Sequence, residues 1–234
     1  MRELASTGGF IYGVTLDRSG NVYACDYGNA SVKRISPNGD VTTYTPGTPD
    51  RPMRVPNFAA FDDAGWLYVT DSGEWGDDDG VIYRVAPGGS TTLWTDLAPR
   101  FPNGCCLDRD GSALLVVESH GRVIVRIPIE DDGAAGKPVD IADLTGSQPD
   151  GLALAEDGSM FVGCYRPDRI YRVQPDGSAD VIAEDPDGVV LNQPTNLAFA
   201  GDDLQRLVVS SLGGWSLVAA NAGIRGLPLR YPTT

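Results

Sequence analysis

The sequence contains few cysteine and histidine residues, which form the disulfide bonds and metal sites that stabilise small domains. Histidine occurs once and cysteine four times in 234 residues, and two of the cysteines, Cys105 and Cys106, are adjacent. These numbers and spacings exclude a disulfide framework and do not match a zinc site built from cysteine and histidine. Cys25 and Cys164 lie in similar apolar segments. We expect them to be small buried side chains of strands.

Long apolar runs and an excess of basic residues are also missing. No segment approaches the roughly 18 apolar residues of a membrane span, and the first residues do not resemble a signal peptide. The chain has 18 basic against 32 acidic residues, which gives a net charge of −14. The electrostatic field of this negative charge would repel a polyanion such as a nucleic acid. We therefore expect a cytoplasmic protein that binds neither nucleic acid nor a membrane.

The composition that remains is that of a folded, turn-rich chain. Hydrophobic residues make up 41% and charged residues 21%, which excludes general disorder. The 29 glycines and 17 prolines are spread along the whole chain, so turns must be frequent. The length suits one domain, residues 1–234, with a single architecture.

A short motif recurs through the chain at nearly constant spacing. A proline, a polar residue and an apolar stretch occur around Asn57, Asn103, Asp150 and Asn196, which are separated by 46, 47 and 46 residues. Tyr12, 45 residues before Asn57, stands in a similar segment that lacks the proline. The sequence therefore contains five copies of one structural unit.

Each unit has the pattern of four short antiparallel strands. Glycine turns at Gly20, Gly65, Gly111 and Gly158 precede a second apolar stretch, and a third stretch alternates apolar and basic residues, as in Ile82-Tyr83-Arg84-Val85. Alternation with period two indicates a half-buried strand. No helical periodicity is present. The pattern predicts an all-β fold, a β-propeller of four-stranded antiparallel blades with five repeats in this chain.

The last blade is the least regular. Its outer strand could be Leu227-Pro228-Leu229-Arg230, or it could be supplied by Arg2-Glu3-Leu4 to close the ring. If neither strand closes the series, two sheet edges remain exposed, and a homodimer is one way to cover them.

Five polar side chains should meet at one end of the central channel. In a propeller the innermost strand of every blade begins at the channel mouth, so Tyr12, Asn57, Asn103, Asp150 and Asn196 should converge there. Carboxylate and amide oxygens are the ligands of hard cations such as calcium. Alternatively, the amides only cap the strands and bond to neighbouring backbone, as Asn and Asp commonly do beside turns.

These segments resemble a known family. The steps Arg100-Phe101-Pro102-Asn103-Gly104, Gln148-Pro149-Asp150-Gly151-Leu152, Val162-Gly163-Cys164-Tyr165 and Gly223-Ile224-Arg225-Gly226-Leu227 are similar to those of the regucalcin and gluconolactonase family, sometimes grouped with luciferin-regenerating enzyme. The resemblance runs from about Tyr12 to Pro232. It implies a propeller that holds one divalent cation, calcium foremost and zinc as the other option. It also implies that this propeller hydrolyses sugar lactones or related cyclic esters.

The resemblance also assigns expected roles. Asn103 matches a metal-ligating asparagine, Asp150 a metal-ligating aspartate and general base, and Asn57 an asparagine that contacts substrate or a metal-bound water. Tyr12 and Asn196, at the same level of the channel, are further candidates for substrate binding.

Two features depart from that family. Its members have six blades, and the first carries a glutamate, in a Glu-Gly-Pro or Glu-Ser-Pro step, that is the third protein ligand of the cation. No such step occurs here. Either that blade is absent or Tyr12 takes the place of the glutamate. The missing charge lowers the expected cation affinity unless Asp71, Glu74 or Glu118 reaches the site.

Two functional hypotheses follow. The first is a metal-dependent hydrolase of a lactone or small cyclic ester. The second is a non-catalytic propeller that binds a small molecule or a protein partner at the same mouth through a degraded metal site. A serine or cysteine nucleophile is not favoured, because we expect the single histidine, His120, to lie on a surface turn.

Overall fold

A computed structural model describes residues 3–233, and nearly all of their regular structure is β. In this part of the chain the strands form five antiparallel sheets, and one 3-10 turn covers Tyr27–Asn29. Within residues 3–233 no helix has the length and apolar character needed to cross a membrane. The prediction of an all-β propeller with five antiparallel blades is confirmed.

Each blade is a meander in which consecutive strands are neighbours. Blade 1 contains β1 (Ile11–Leu16), β2 (Val22–Asp26), β3 (Ser31–Ile35) and β4 (Val41–Thr45). Blade 2 contains β5 (Pro56–Phe61), β6 (Leu67–Asp71), β7 (Val81–Val85) and β8 (Thr91–Thr95). Blade 3 contains β9 (Pro102–Leu107), β10 (Ala113–Glu118), β11 (Val123–Pro128) and β12 (Val139–Asp143). Blade 4 contains β13 (Gln148–Leu154), β14 (Met160–Arg166), β15 (Asp168–Val173) and β16 (Ala179–Glu184). Blade 5 contains β17 (Pro194–Ala200), β18 (Arg206–Ser211) and β19 (Ser216–Asn221).

The first strands of successive blades, β1, β5, β9, β13 and β17, pack against one another in that order. They therefore surround the channel predicted from the repeat. We call the end at which these strands begin the upper end and the opposite end the lower end.

Tight turns fix the antiparallel meander. Gly39 and Gly89, each before the outer strand of its blade, have φ of +93° and +95°. An L-residue with a Cβ avoids this conformation, whereas glycine adopts it without steric penalty.

Among the described residues the hydrophobic core consists of four clusters, and each lies between two successive blades. One joins blades 3 and 4 through Val117, Ile124 and Val162, and the others join blades 1 and 2, 2 and 3, and 4 and 5. Within residues 3–233 no comparable cluster joins blade 5 to blade 1, and β17 and β1 do not pack as the other first strands do. Blades 1 and 5 are thus the two ends of the series.

The fifth blade differs from the prediction in its outer strand. Among the described residues its sheet has three strands. Glu3 and Leu4 form no strand and lie beside blade 1, where the Leu4 carbonyl faces Gly39, and Arg2 is outside the described residues. The segment Leu227-Pro228-Leu229-Arg230 is also no part of this sheet. Just before it, Gly226 donates its N–H to the Leu204 carbonyl of blade 5 and forms an isolated bridge with Ala155 of blade 4.

Residues 225–232 cross the lower end of the channel and contact every blade. Leu227 donates a backbone hydrogen bond to Leu154 of blade 4 over 2.8 Å. Gly226 packs directly against Phe199 of blade 5. The remaining blades are contacted through Arg230, which bonds to Asp63 of blade 2 and to the carbonyl of Asp108 of blade 3, and through Pro232, which accepts from Arg18 of blade 1. We call this segment the lower strap.

Candidate functional site

Glycines let the first strands approach one another at the upper end. Gly104 and Gly151 directly follow Asn103 and Asp150. A Cβ on Gly104 would lie 2.6 Å from the Cα of Gly151, and one on Gly151 would lie 2.2 Å from Asn196 Oδ1. No side chain fits in either gap. The missing Cβ atoms therefore bring the polar residues of blades 3, 4 and 5 into contact range.

Serine side chains orient the two asparagines of blades 2 and 3. Asn57 Nδ2 donates to Ser72 Oγ over 2.9 Å, and Ser72 donates to the carbonyl of Pro102 in the next blade over 2.8 Å. Asn103 Nδ2 likewise donates to Ser119 Oγ over 3.0 Å, and Ser119 donates to the Pro149 carbonyl. The amide nitrogens therefore reach the backbone of the next blade through a serine hydroxyl, and not directly as the capping alternative proposed.

These hydrogen bonds use the amide nitrogen of Asn103 and do not involve its amide oxygen. Asn103 is 4% exposed, and its Oδ1 is buried without a hydrogen-bond partner in the structure. A buried acceptor without a partner is costly and calls for an explanation such as an ion or a water.

Asp150 lies next to Asn103 and has an unusual acidity. Burial raises the pKa of its carboxyl group to about 7, and a hydrogen bond with the Asn103 side chain opposes part of that rise. The side chain keeps partial access to solvent at the mouth. A carboxyl group with this pKa can accept a proton at neutral pH and release it again.

The other predicted residues lie at the same end. The Asp150 carboxylate contributes to the raised pKa of Tyr12, after burial and the neighbouring Tyr27. Tyr12 stacks on Tyr27 with ring centroids 5.1 Å apart and remains 42% exposed. Asn196 rests on Gly151, and Asn57 is 6% exposed. The structure therefore gathers all five predicted residues around the upper end, with Asn103 and Asp150 in direct contact.

One aromatic residue of the site was missed by the sequence analysis. Burial raises the pKa of Tyr165 to about 12, and the nearby Asp150 carboxylate adds to that rise. Tyr165 ends the motif Val162-Gly163-Cys164-Tyr165, so its place at the end of β14 was the signal that could have identified it.

The acidic residues considered as replacements for the missing glutamate do not enter the site. Asp71 accepts the backbone N–H groups of Arg54 and Val55, and Glu118 accepts that of Arg100 together with its guanidinium. Each carboxylate thus fastens the segment that leads into the first strand of its own blade. Glu74 is exposed on the loop after β6.

Ser119 and His120 do not form a catalytic pair. The Ser119 hydroxyl is bonded to the Pro149 carbonyl, and the His120 ring faces Asp78, with Nδ1 3.7 Å from a carboxylate oxygen. The expectation that His120 lies on a surface turn is confirmed. All four cysteines are free and buried, and the expectation that Cys25 and Cys164 are buried side chains of strands is confirmed.

Below the polar residues the channel becomes apolar. A cavity of about 240 Å³ is lined by the middle and lower parts of all five first strands and by the lower strap. A larger concavity of about 810 Å³ lies outside the channel at the lower end, between the strap and residues such as Asp17 and Arg109. The predicted donors line neither of these spaces.

Comparisons with known proteins agree with this architecture. The chain is similar to protein STRICTOSIDINE SYNTHASE-LIKE 3 of Arabidopsis thaliana, with 28% identity over 166 residues, 64% of this chain and 41% of the relative. It is similar to lactonase drp35 of Staphylococcus aureus (strain MW2), with 28% identity over 170 residues, 68% of this chain and 52% of the relative. The crystal structure of a calcium-binding protein, regucalcin, from Agrobacterium tumefaciens shares the fold, with a TM-score of 0.68, 22% identity, and coverage of 94% of this chain and 77% of that one.

The shared region is extensive, although the relatives are longer. The chain spans between 37% and 52% of the length of the three curated relatives that it matches. Residues 41–213 match the family described as the SMP-30/Gluconolactonase/LRE-like region, and the chain therefore belongs to that family.

Proposed function

We propose that the chain hydrolyses a lactone or related small cyclic ester at the upper end of the channel, with a divalent cation held by Asn103 and Asp150. The observation that carries the proposal is the buried, unpartnered Oδ1 of Asn103 beside the Asp150 carboxyl group. An amide oxygen and a carboxylate are suitable donors for a hard cation.

The donor chemistry favours calcium over zinc. Within residues 3–233 no group of three or more histidine, cysteine, aspartate and glutamate side chains could hold a metal. Zinc sites in proteins depend on such groups, whereas calcium accepts amide oxygens and water. Whether the glutamate blade is absent or Tyr12, a neutral phenol, takes the place of the glutamate, the charge that the family resemblance implies is missing from the proposed site. We therefore expect weak calcium binding.

The kind of reaction is inferred from the family and its relatives. The family description names gluconolactonase, and curated relatives at 28% identity include 6-deoxy-6-sulfogluconolactonase of Pseudomonas putida and the lactonase of Staphylococcus aureus. These relatives favour a hydrolase over the non-catalytic binding propeller.

Asp150 is the general base of the proposed reaction. A bound cation would polarise the ester carbonyl. Asp150 takes a proton from the water whose oxygen forms the new bond to the acyl carbon. It returns the proton to the ring oxygen as the ester C–O bond breaks, and the product is the open hydroxy acid. Asn57 and Asn196 orient the substrate, and Tyr12 offers a hydroxyl on the same side as Asp150.

Metal removal and replacement test the proposal. The chain is stripped with a chelator and then supplied with calcium, zinc or buffer alone, and proton release from a panel of lactones is measured together with the melting temperature. We expect turnover with calcium, and a rise in melting temperature by mass action. Equal lactone turnover in chelator and in calcium would contradict the role of the cation. No turnover with any metal would contradict the proposed hydrolase activity.

A further inference from the structure

Three ring side chains form an exposed cluster at the upper end, apart from the predicted donors. The Trp75 ring meets the Phe101 ring edge to face with centroids 4.9 Å apart, and it meets the His120 ring at 5.5 Å. Trp75 is 46% exposed. We call Trp75, Phe101 and His120 the aromatic wall.

The aromatic wall is attached directly to the residues that hold the donors. Phe101 precedes Asn103 by two residues, and its carbonyl accepts the N–H of Ser119 over 3.1 Å. Ser119 in turn binds the Asn103 amide, and His120 follows it. Trp75 lies three residues beyond Ser72, which binds the Asn57 amide. The wall therefore borders the mouth on the side of blades 2 and 3.

The backbone of Phe101 is held in an unusual conformation. Its φ is +62°, in the left-handed region that side chains with a Cβ disfavour. The N–H of Phe101 bonds to the Pro99 carbonyl over 2.9 Å, which fixes this geometry together with the bond from Ser119. Backbone outliers of this kind concentrate at ligand-binding positions. Here the conformation aims the ring toward Trp75.

Two arginines near the wall are engaged by carboxylates, and the exposed charges that flank Trp75 are acidic. The Arg100 guanidinium is bound by Glu118, with Nη2 2.6 Å from the carboxylate, and the Arg54 guanidinium is bound by Asp79. Glu74, Asp77 and Asp78 flank Trp75 and are exposed. These carboxylates would repel an anionic substituent bound beside Trp75. An apolar ring would bury area against Trp75 and Phe101.

We propose that the aromatic wall binds the substituent of the substrate, which is a neutral lactone carrying an aryl or alkyl group rather than an anionic or heavily hydroxylated one. This inference rests on the proposed lactone hydrolysis. Trp75 and Phe101 are the specificity-determining residues, and they act by contact with the substituent and not on the ester.

The test compares δ-valerolactone with its phenyl-substituted derivative. We expect the wild-type protein with calcium to show at least about a tenfold higher kcat/KM for the phenyl lactone, because burial of one ring is worth about that factor or more. Trp75→Ala should reduce this ratio toward one, chiefly through KM, and Trp75→Phe should retain most of it. Leu93→Ala is the matched control, since Leu93 is 41% exposed on the outer strand β8 of the same blade.

Two results would overturn the inference. One is an equal kcat/KM for the two lactones in the wild-type protein, and the other is an equal loss on both lactones in Trp75→Ala. Calorimetric binding of the corresponding lactams, which do not undergo the reaction, separates this inference from the proposed function. Tighter binding of the phenyl lactam to wild type than to Trp75→Ala supports the wall even without turnover. The inference is contradicted if the phenyl lactam and the unsubstituted lactam bind with equal affinity in wild type and also in Trp75→Ala.

Discussion

Blades 2 to 4 are packed on both faces, whereas blades 1 and 5 each present one face to solvent. Every residue of β6 and β10 is buried. In contrast, five of the six residues of β19 are exposed, and β1 exposes Tyr12, Val14 and Leu16. The repeats are similar in sequence pattern, so the difference comes from the number of neighbours. A middle blade shares two core clusters and an end blade only one.

The candidate site draws its main donors from the well-packed part of the molecule. Asn57, Asn103 and Asp150 belong to blades 2, 3 and 4, while Tyr12 and Asn196 come from the two ends. Rigid neighbours on both sides hold the middle donors in place. We therefore expect substitutions in the middle blades to affect both activity and stability more than equivalent substitutions at the ends.

The largest expected effect is loss of hydrolysis in Asp150→Asn. Removal of the general base should lower kcat about 10²- to 10⁴-fold. In the end blade, Asn196→Ala should cost about tenfold or less, because it only orients substrate. Asp176→Asn, a carboxylate of blade 4 that accepts from Ser178 on a distant turn, serves as the matched control and should retain activity. Full turnover in Asp150→Asn would remove Asp150 from the mechanism.

The next effect concerns packing. Ile124→Ala empties a fully buried position in the cluster between blades 3 and 4, and it should lower the free energy of unfolding by about 2 to 5 kcal/mol. Leu217→Ala, at a position 67% exposed in the end blade, should change it by no more than about 0.5 kcal/mol. Urea denaturation measures both. Equal losses would show that blade 5 is packed on both faces in solution.

The lower strap should contribute an intermediate amount. Arg230→Ala removes hydrogen bonds to the carbonyls of Asp108 and Arg109 and the ion pair with Asp63. We expect a loss of about 1 to 3 kcal/mol in the free energy of unfolding. Arg225→Ala, whose guanidinium is half exposed and 3.9 Å from Glu156, should cost about 0 to 1 kcal/mol. If Arg230→Ala unfolds at the wild-type urea concentration, the strap does not join the blades.

A last expected effect, visible only in chelator, is a gain of stability in Asp150→Asn above neutral pH. Burial raises the pKa of Asp150 to about 7, so the folded state keeps a proton that the unfolded state has lost. The stability that this acid contributes is complete at low pH and is lost as the pH rises toward about 7. In chelator at pH 8 the variant should melt above the wild type, and the difference should narrow at pH 5.5. A lower melting temperature for the variant at pH 8 would contradict the cost of the buried charge.

The sequence alone was sufficient to predict the blades and the end of the channel at which the polar residues meet. A spacing of 46 or 47 residues between Asn57, Asn103, Asp150 and Asn196 repeats one strand in each blade, and repetition around an axis places those residues together. Gly104 and Gly151 follow two of these positions, and the same spacing accounts for their close approach.

Features that depend on non-repeating contacts could not be predicted. The partners of Asn57 and Asn103 are Ser72 and Ser119, whose hydroxyls could have pointed elsewhere. The lower strap is not part of the repeat. Many of its partners are backbone carbonyls, which residue types do not identify, so its position could not be predicted. The aromatic wall joins Trp75 to His120 across two blades, and nothing in either loop indicates the other.

The lower strap also affects the order in which the molecule can assemble. Arg230 and Pro232 are translated after all five blades, so the contacts that tie blade 1 to blade 3 form only once residue 232 has left the ribosome. A nascent chain halted at Asn221 would contain every strand described within residues 3–233 but none of these ties.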